Sequence, residues 1–347
     1  MTLIAGFHSF GTPVLVGDFL ITSGGEVSGL RKKILLVAHN FALAWTGDLV
    51  AANLVVKSLQ ADLDRDAVTL ESVKAILTNP ATASNLRPLQ VQLICWVVDG
   101  QGAHCFRWNS DYPHELFPGA PQYDGSGDSF VQALAGVGLR DSATPEGTNP
   151  NRAVDGALSV TTELMRSEML GPTNKPRGFG FAYEILCLVD GQRFEYVNNV
   201  LYYAITCELD GSGKYLRGGF FGSYYKYEAY GNFTAVYVYD PSTSTQSRYV
   251  VPPVGLYSEQ AEADLLQRMA KPQYRPFPFD SDHYNAFVLL KAPNFSCPPT
   301  SMYFGKKAAQ VHQIIDISKP NAISLRVPPD MVERMYREIR NDQNGGK

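Results

Sequence analysis

Thr2 stands directly behind Met1, and removal of that methionine would leave a hydroxyl and a free α-amino group on one residue. A hydroxyl is a weak nucleophile until a base takes its proton. A free α-amine, with an ordinary pKa of about 7.7–8.0, is partly neutral at cellular pH and serves as that base directly or through one water. The chemistry this implies is nucleophilic attack by the hydroxyl with the amine as general base. Many chains begin Met-Thr, so Thr2 takes its meaning from three other positions. Asp18 closes the apolar run Pro13 to Gly17, and Lys33 opens the next run, Ile34 to Val37. Adjacent antiparallel strands bring two such residues together beneath the start of the first strand. There a buried ammonium favours an alkoxide on Thr2, and the carboxylate keeps the ammonium charged. The same spacing also fits an ordinary strand-end acid and a solvated basic turn. Gly47 ends a strand and passes straight into a helical pattern, so backbone N–H groups face outward where an oxyanion could be received. A simple strand-to-helix turn has the same sequence.

The elements that must position these residues follow from periodicity. Leu3 to Phe7 and Pro13 to Gly17 predict two strands about the turn Ser9 to Thr12. Ser23-Gly24-Gly25 and Ser28-Gly29 predict a loop. Phe41 to Trp45 predicts a strand stopping at Thr46-Gly47. Leu49, Ala52, Val55, Val56 and Leu59 recur at helical spacing, and a second helix is expected over Leu70 to Leu77 with Thr69 as N-cap. Val91 to Val98 and Ala103 to Trp108 predict a hairpin around Asp99-Gly100. Phe130, Val131 and Leu134 suggest a short helix, and Arg152 to Met169 a long one. Phe181 to Val189 and Phe194 to Val197 predict another hairpin. Strands, helices, strands, helix, strands is the order that two packed sheets with helices outside require.

Beyond residue 200 the texture changes, and residues 201–347 are expected to form a β-rich extension of unassigned role behind a first domain of residues 1–200. Tyrosines crowd a glycine-rich stretch there, as in a sheet core or a subunit interface. A hairpin is expected from Phe233 to Val251, then a proline-rich stretch from Lys271 to Phe279, and a helix over Met331 to Ile339. Asp210-Gly211-Ser212-Gly213-Lys214 lacks the spacing of a phosphate loop and is predicted to be a hairpin turn.

Bulk properties narrow the function. Of 347 residues 45% are hydrophobic and 18% charged, enough apolar material for a sizeable core. A net charge of -4, with Arg31-Lys32-Lys33 as the densest basic group, argues against a nucleic-acid partner. Five cysteines without a C-x-x-C pair are expected to be buried reduced thiols, and the six histidines show no metal spacing. No signal peptide and no membrane span are read, so the expected location is cytoplasmic.

Taken together, Thr2, Val14-Leu15-Val16-Gly17-Asp18, Lys32-Lys33-Ile34, Ala44-Trp45-Thr46-Gly47 and Gly125-Ser126-Gly127 resemble the proteasome β-subunits and the bacterial HslV peptidase. Both are N-terminal nucleophile hydrolases, and the resemblance spans roughly residues 2–197. It implies an α+β fold, a four-layer αββα sandwich, followed by the β-rich extension. It further implies Thr2 as nucleophile, Asp18 and Lys33 as its tuning pair, the Gly47 N–H as oxyanion donor and Ser126 as a supporting partner. Thr22 and Trp45 would bind substrate, Trp45 at the family's specificity-pocket position. The implied activity is that of a threonine peptidase without metal or cofactor, acting on a peptide or small amide and assembled as a ring-type homo-oligomer. A non-catalytic assembly protein of the same fold, or an acylase for small amides, are the alternatives.

Overall fold

The computed structural model describes residues 2–80, 82, 86, 88–127, 150–170, 180–240, 245–255, 258–270, 281–293, 300–304, 315–319, 322–325 and 328–345. It is a mixed α+β structure whose sheets are mostly antiparallel. The helix suggested around Phe130, the proline-rich stretch and Cys297 lie outside the described residues.

Strands β1 (Leu3–Ser9) and β2 (Thr12–Asp18) pair across the expected turn. They form the centre of a five-stranded antiparallel sheet. Its other members are β10 (Gln122–Gly125), β11 (Tyr183–Val189) and β12 (Arg193–Tyr196), in the order β10-β1-β2-β11-β12. A second antiparallel sheet runs β5 (Ile34–Ala38), β6 (Phe41–Gly47), β7 (Val91–Asp99), β8 (Gly102–Asn109) and β9 (Leu116–Pro118).

Because strand side chains alternate between faces, each sheet presents two apolar surfaces. Ile4, Leu15 and Leu186 of the first sheet meet Ile34, Ala44, Ile94 and Trp96 of the second in one buried cluster. A Cβ on Gly6 would come within 2.6 Å of the Ile94 side chain, so the two sheets approach closely there. On its other face the first sheet packs Leu3, Ala5 and Val16 against Leu158, Leu164 and Met165 of α3 (Pro150–Leu170). The second sheet likewise sets Leu43, Trp45 and Leu93 against α1 (Leu49–Asp62) and α2 (Leu70–Leu77). The predicted stripe on α1 is the buried one: Ala52, Val55, Val56 and Leu59. Asp48 caps its first turn by accepting from the Val50 and Ala51 N–H groups, and Thr69 caps α2 in a reciprocal pair with Ser72.

The stretch read as a loop after Leu20 is a hairpin, β3 (Leu20–Ser23) with β4 (Glu26–Leu30). Gly24 and Gly25, both at positive φ, form its two-residue turn. Its outer half is exposed, so no alternation of apolar and polar residues announces it.

Beyond residue 200 a six-stranded sheet forms in the order β16-β15-β14-β13-β17-β18. Its members are β13 (Val200–Leu209), β14 (Tyr215–Tyr230), β15 (Phe233–Asp240), β16 (Thr245–Val251), β17 (His283–Lys291) and β18 (Thr300–Phe304), with β17 parallel to β13. One face buries Tyr202, Tyr227, Val236 and Phe287 in the same cluster as the first sheet and α3. The other packs Leu201, Tyr203 and Tyr224 under α4 (Glu259–Met269) and α5 (Pro329–Gly345). The tyrosines are therefore largely core. Asp210 to Lys214 is the β13–β14 turn, held by the Asp210 carboxylate accepting from the Ser212 and Lys214 N–H groups. Among the described residues no helix is long and apolar enough to cross a membrane.

Candidate active site

The start of β1 lies beside the end of β2, and there the side chain of Thr2 meets Asp18. The Thr2 hydroxyl donates to Asp18 Oδ1 at 2.5 Å, and the Leu3 N–H donates to the same oxygen at 3.0 Å. The Gly180 N–H donates to Oδ2 at 2.8 Å. Both side chains are buried, Thr2 at 2% exposure and Asp18 at 0%. Burial pushes the Asp18 carboxyl above its usual range, against the opposing pull of the Lys33 charge and the three donated hydrogen bonds. A short hydroxyl–carboxylate contact of this kind orients the hydroxyl and offers a place for its proton.

Lys33 is buried as well, and burial lowers its ammonium to about 8, opposed by the charge of Asp18 and assisted by that of Arg31. Its Nζ lies 4.3 Å from the centre of the Trp45 ring, a cation–π contact. Gly17 lets the lysine pass: a Cβ there would stand 3.1 Å from the Lys33 Cβ. Thr2, Asp18 and Lys33 thus share one buried locality, with Lys33 acting on Asp18 through its charge.

The remaining expected residues divide. Ser126 donates to the Thr2 carbonyl oxygen at 3.4 Å, so it touches the backbone of Thr2 and not the hydroxyl. Gly47 adopts φ +98°, and its N–H falls past the last rung of the β5–β6 ladder. Trp45, two residues earlier, gives its N–H to the Lys33 carbonyl, so Gly47 presents its own N–H towards that same side. Thr46 donates to Asp124 at 3.2 Å, which holds this strand end beside the strand that pairs with Leu3. Trp45 itself is 1% exposed and gives its indole N–H to the Lys32 carbonyl, so it underlies the lysine and lines no cavity among those described. Thr22 is half-buried in β3, within the hairpin whose Leu20 and Val27 line a cavity.

That cavity, of about 870 Å³, is lined by sequence neighbours of the charged residues and by none of Thr2, Asp18 and Lys33 themselves. Leu20 and Arg31 lie two positions from Asp18 and Lys33, and Phe181 follows Gly180; Leu49 of α1, Tyr249 and Pro252 complete an apolar wall. The C-terminal sheet thus supplies part of it.

Sequence reasoning missed Gly180 and its surroundings. Phe181 and Ala182 hold φ of +67° and +73°, a conformation that costs a non-glycine residue about 1 kcal/mol or more. Glu168, buried on α3, secures the bend by accepting from the Phe181 N–H at 2.7 Å. A Cβ on Gly180 would meet that carboxylate at 2.7 Å. No local motif marks a residue 162 positions from its partner, and only the approach of α3 to the first sheet reveals it. The described cysteines offer no rival nucleophile, since Cys95, Cys105, Cys187 and Cys207 are buried, and burial raises Cys105 and Cys187 to about 12.

Gly125 gives a direct test of how tightly Thr2 is seated. A Cβ there would stand 1.9 Å from the Thr2 carbonyl oxygen, at a φ of +100°. Gly125→Ala is expected to cost about 3 kcal/mol or more in denaturant unfolding and to displace Thr2. Gly11→Ala, at φ +74° with open space around it, is expected to cost only about 1 kcal/mol. Equal losses in the two variants would show that β10 does not constrain Thr2.

No protein-family model matches the chain, and comparison with curated proteins finds no match either.

Proposed function

We propose that this chain is a threonine amidohydrolase of the N-terminal nucleophile type, similar to proteasome β-subunits and HslV. Its first two sheets with α1, α2 and α3 would form the four-layer αββα sandwich of that class. The observation that carries the reading is the buried Thr2 Oγ–Asp18 contact at 2.5 Å with the Lys33 charge acting on the same carboxylate. Once the residue ahead of Thr2 is removed, Thr2 Oγ attacks the amide carbonyl and its proton passes to the freed α-amine. That proton then leaves with the amine of the broken C–N bond, forming an acyl-ester. Water, activated by the same amine, cleaves the ester and restores the hydroxyl. Asp18 holds Oγ in place, charged Lys33 favours the alkoxide, and the Gly47 N–H receives the oxyanion. The apolar cavity beside Arg31 supports a peptide substrate whose apolar side chain enters it. The resemblance adds a ring-type homo-oligomer in the cytoplasm, with no metal or cofactor.

The near-complete burial of Thr2 favours one second reading, a scaffold of the same fold in which Thr2 is never freed. A peptidyl β-lactone separates the two. Ring-opening by Oγ adds the whole reagent mass as an ester, and peptide mapping is expected to find it on an N-terminal Thr2. An unmodified Thr2 in protein that has lost Met1 would reject the nucleophile, and a retained Met1 supports the scaffold.

The charges also set a pH dependence. The base must be neutral, which requires a pH at or above about 7.7–8.0. Lys33 must stay charged, which is lost as pH rises through about 8. Turnover is therefore expected to follow a narrow bell centred near pH 8. In a Lys33→Arg protein the descending limb should vanish, because guanidinium does not titrate there. An ascending limb well below pH 7 would move the base role to Asp18.

A further inference from the structure

The cavity of about 870 Å³ is bordered by two strand edges, β4 through Gly29 and Leu30 and β16 through Tyr249 and Val250. β4 pairs with β3, and β16 ends the six-stranded sheet beside β15. Among the described residues, therefore, each strand has one edge without a neighbouring strand. Just beyond both strands the two edges are joined, where the Lys32 N–H donates to the Pro252 carbonyl at 3.0 Å.

That bond fixes which backbone groups face the opening. In an antiparallel ladder alternate residues turn their N–H and C=O towards the partner strand, and the residues between turn theirs away. The Arg31 N–H donates to the Phe19 carbonyl, so residue 31 faces β3. Leu30, opposite Leu20, then faces away from β3, on the side where Lys32 reaches Pro252. On the other edge Pro252 turns its carbonyl away from β15, and by the same alternation Val250 turns its N–H and C=O that way. The Leu30 carbonyl already accepts from the Arg31 guanidinium at 2.8 Å. The Leu30 N–H and both groups of Val250 are left without a partner among the described residues.

The lining carries one cation, Arg31, and one anion, Glu262, so it singles out no charged ligand. What it offers is apolar surface from Leu49, Phe181 and Tyr249, with the Phe181 ring edge-on to Tyr249 at 4.7 Å. That surface lies between main-chain donors and acceptors on two sides. An extended peptide uses both, because its N–H and C=O groups leave it alternately to left and right while its side chains point above and below. We infer that a neutral, apolar peptide segment binds here as an added strand, bonded on one side to β4 at Leu30 and on the other to β16 at Val250. The C-terminal sheet, otherwise without an assigned role, then supplies half of a peptide groove. This deepens the proposed function and rests on that reading's use of the cavity for the substrate.

Titration calorimetry of the full chain carrying Thr2→Ala, so that nothing is cleaved, tests this with the capped peptide Ser-Val-Leu-Val-Leu-Ser. Saturable binding of one equivalent is expected. N-methylation of either alternate set of backbone nitrogens keeps every side chain and removes the donors to one edge. Each of the two methylated peptides should bind at least 10-fold more weakly, and neither needs a protein variant. Val250→Pro removes the outward N–H without touching the β15 ladder and should weaken the parent peptide at least fivefold, with circular dichroism confirming the fold. Absence of saturable binding, a loss with only one methylated peptide, or a dimer in sedimentation that excludes the peptide would overturn the inference. Labelling of Thr2 by the β-lactone is scored separately on the unsubstituted chain. A labelled Thr2 with no bound peptide rejects this groove alone, and a bound peptide with an unlabelled N-terminal Thr2 rejects the nucleophile alone.

Discussion

Thr2→Ala is expected to abolish peptide turnover, by on the order of 10⁴-fold or more, while the protein remains folded. Oγ and the γ-methyl are lost, and with Oγ the nucleophile. Asp18 keeps two of its three donors, the N–H groups of Leu3 and Gly180, so the carboxylate is not stranded. The accompanying stability loss should stay near 1–3 kcal/mol, the cost of removing one buried hydrogen-bond partner. Thr2→Ser retains the hydroxyl and is expected to keep measurable turnover. The assay is a fluorogenic peptide panel run beside circular dichroism on the same samples. Equal turnover by wild type and Thr2→Ala would eliminate Thr2 as nucleophile, whatever the state of the N-terminus.

Lys32→Met is expected to produce the largest stability loss, about 3–5 kcal/mol in denaturant unfolding. Lys32 Nζ lies 3.0 Å from Glu184 Oε1, with both side chains essentially without solvent contact. The ammonium also sits 3.9 Å from the centre of the Tyr196 ring, and Glu184 accepts a hydrogen bond from Thr234 at 2.7 Å. Removing the ammonium leaves a carboxylate buried without its counter-charge, which is where the cost arises. Replacing both partners, Lys32→Met with Glu184→Leu, is expected to recover most of the loss, because neither charge then needs desolvation. If the double variant is as unstable as the single one, the pair is not an isolated electrostatic unit. This contact joins the start of the second sheet to β11 and, through Thr234, to the C-terminal sheet. Its loss should therefore lower one cooperative transition and not melt residues 201–347 alone.

Adjacent residues in one short basic run thus have opposite partners. Lys32 reaches Glu184, and the Lys33 charge acts on Asp18. Read as a string, Arg31-Lys32-Lys33 suggests solvated charge. The strand alternation beginning at this point sends successive side chains to opposite faces, and both faces are buried.

What the chain's order of residues determined was local and periodic. The apolar stripe from Ala52 to Leu59 required a helix, Asp48 and Thr69 stopped their helices from starting earlier, and Asp99-Gly100 turned β7 into β8, because these depend on neighbours within a few positions. The closeness of Thr2 to Asp18 belongs here too, since a single hairpin brings them together. Tertiary structure alone decided which groups surround Asp18 and Lys33, Gly180 on the first and the Trp45 ring under the second, and drew the wall of the neighbouring cavity in part from the C-terminal sheet. These contacts depend on how sheets and helices pack across long separations, where side-chain volume and burial choose the partner and no short motif records the choice.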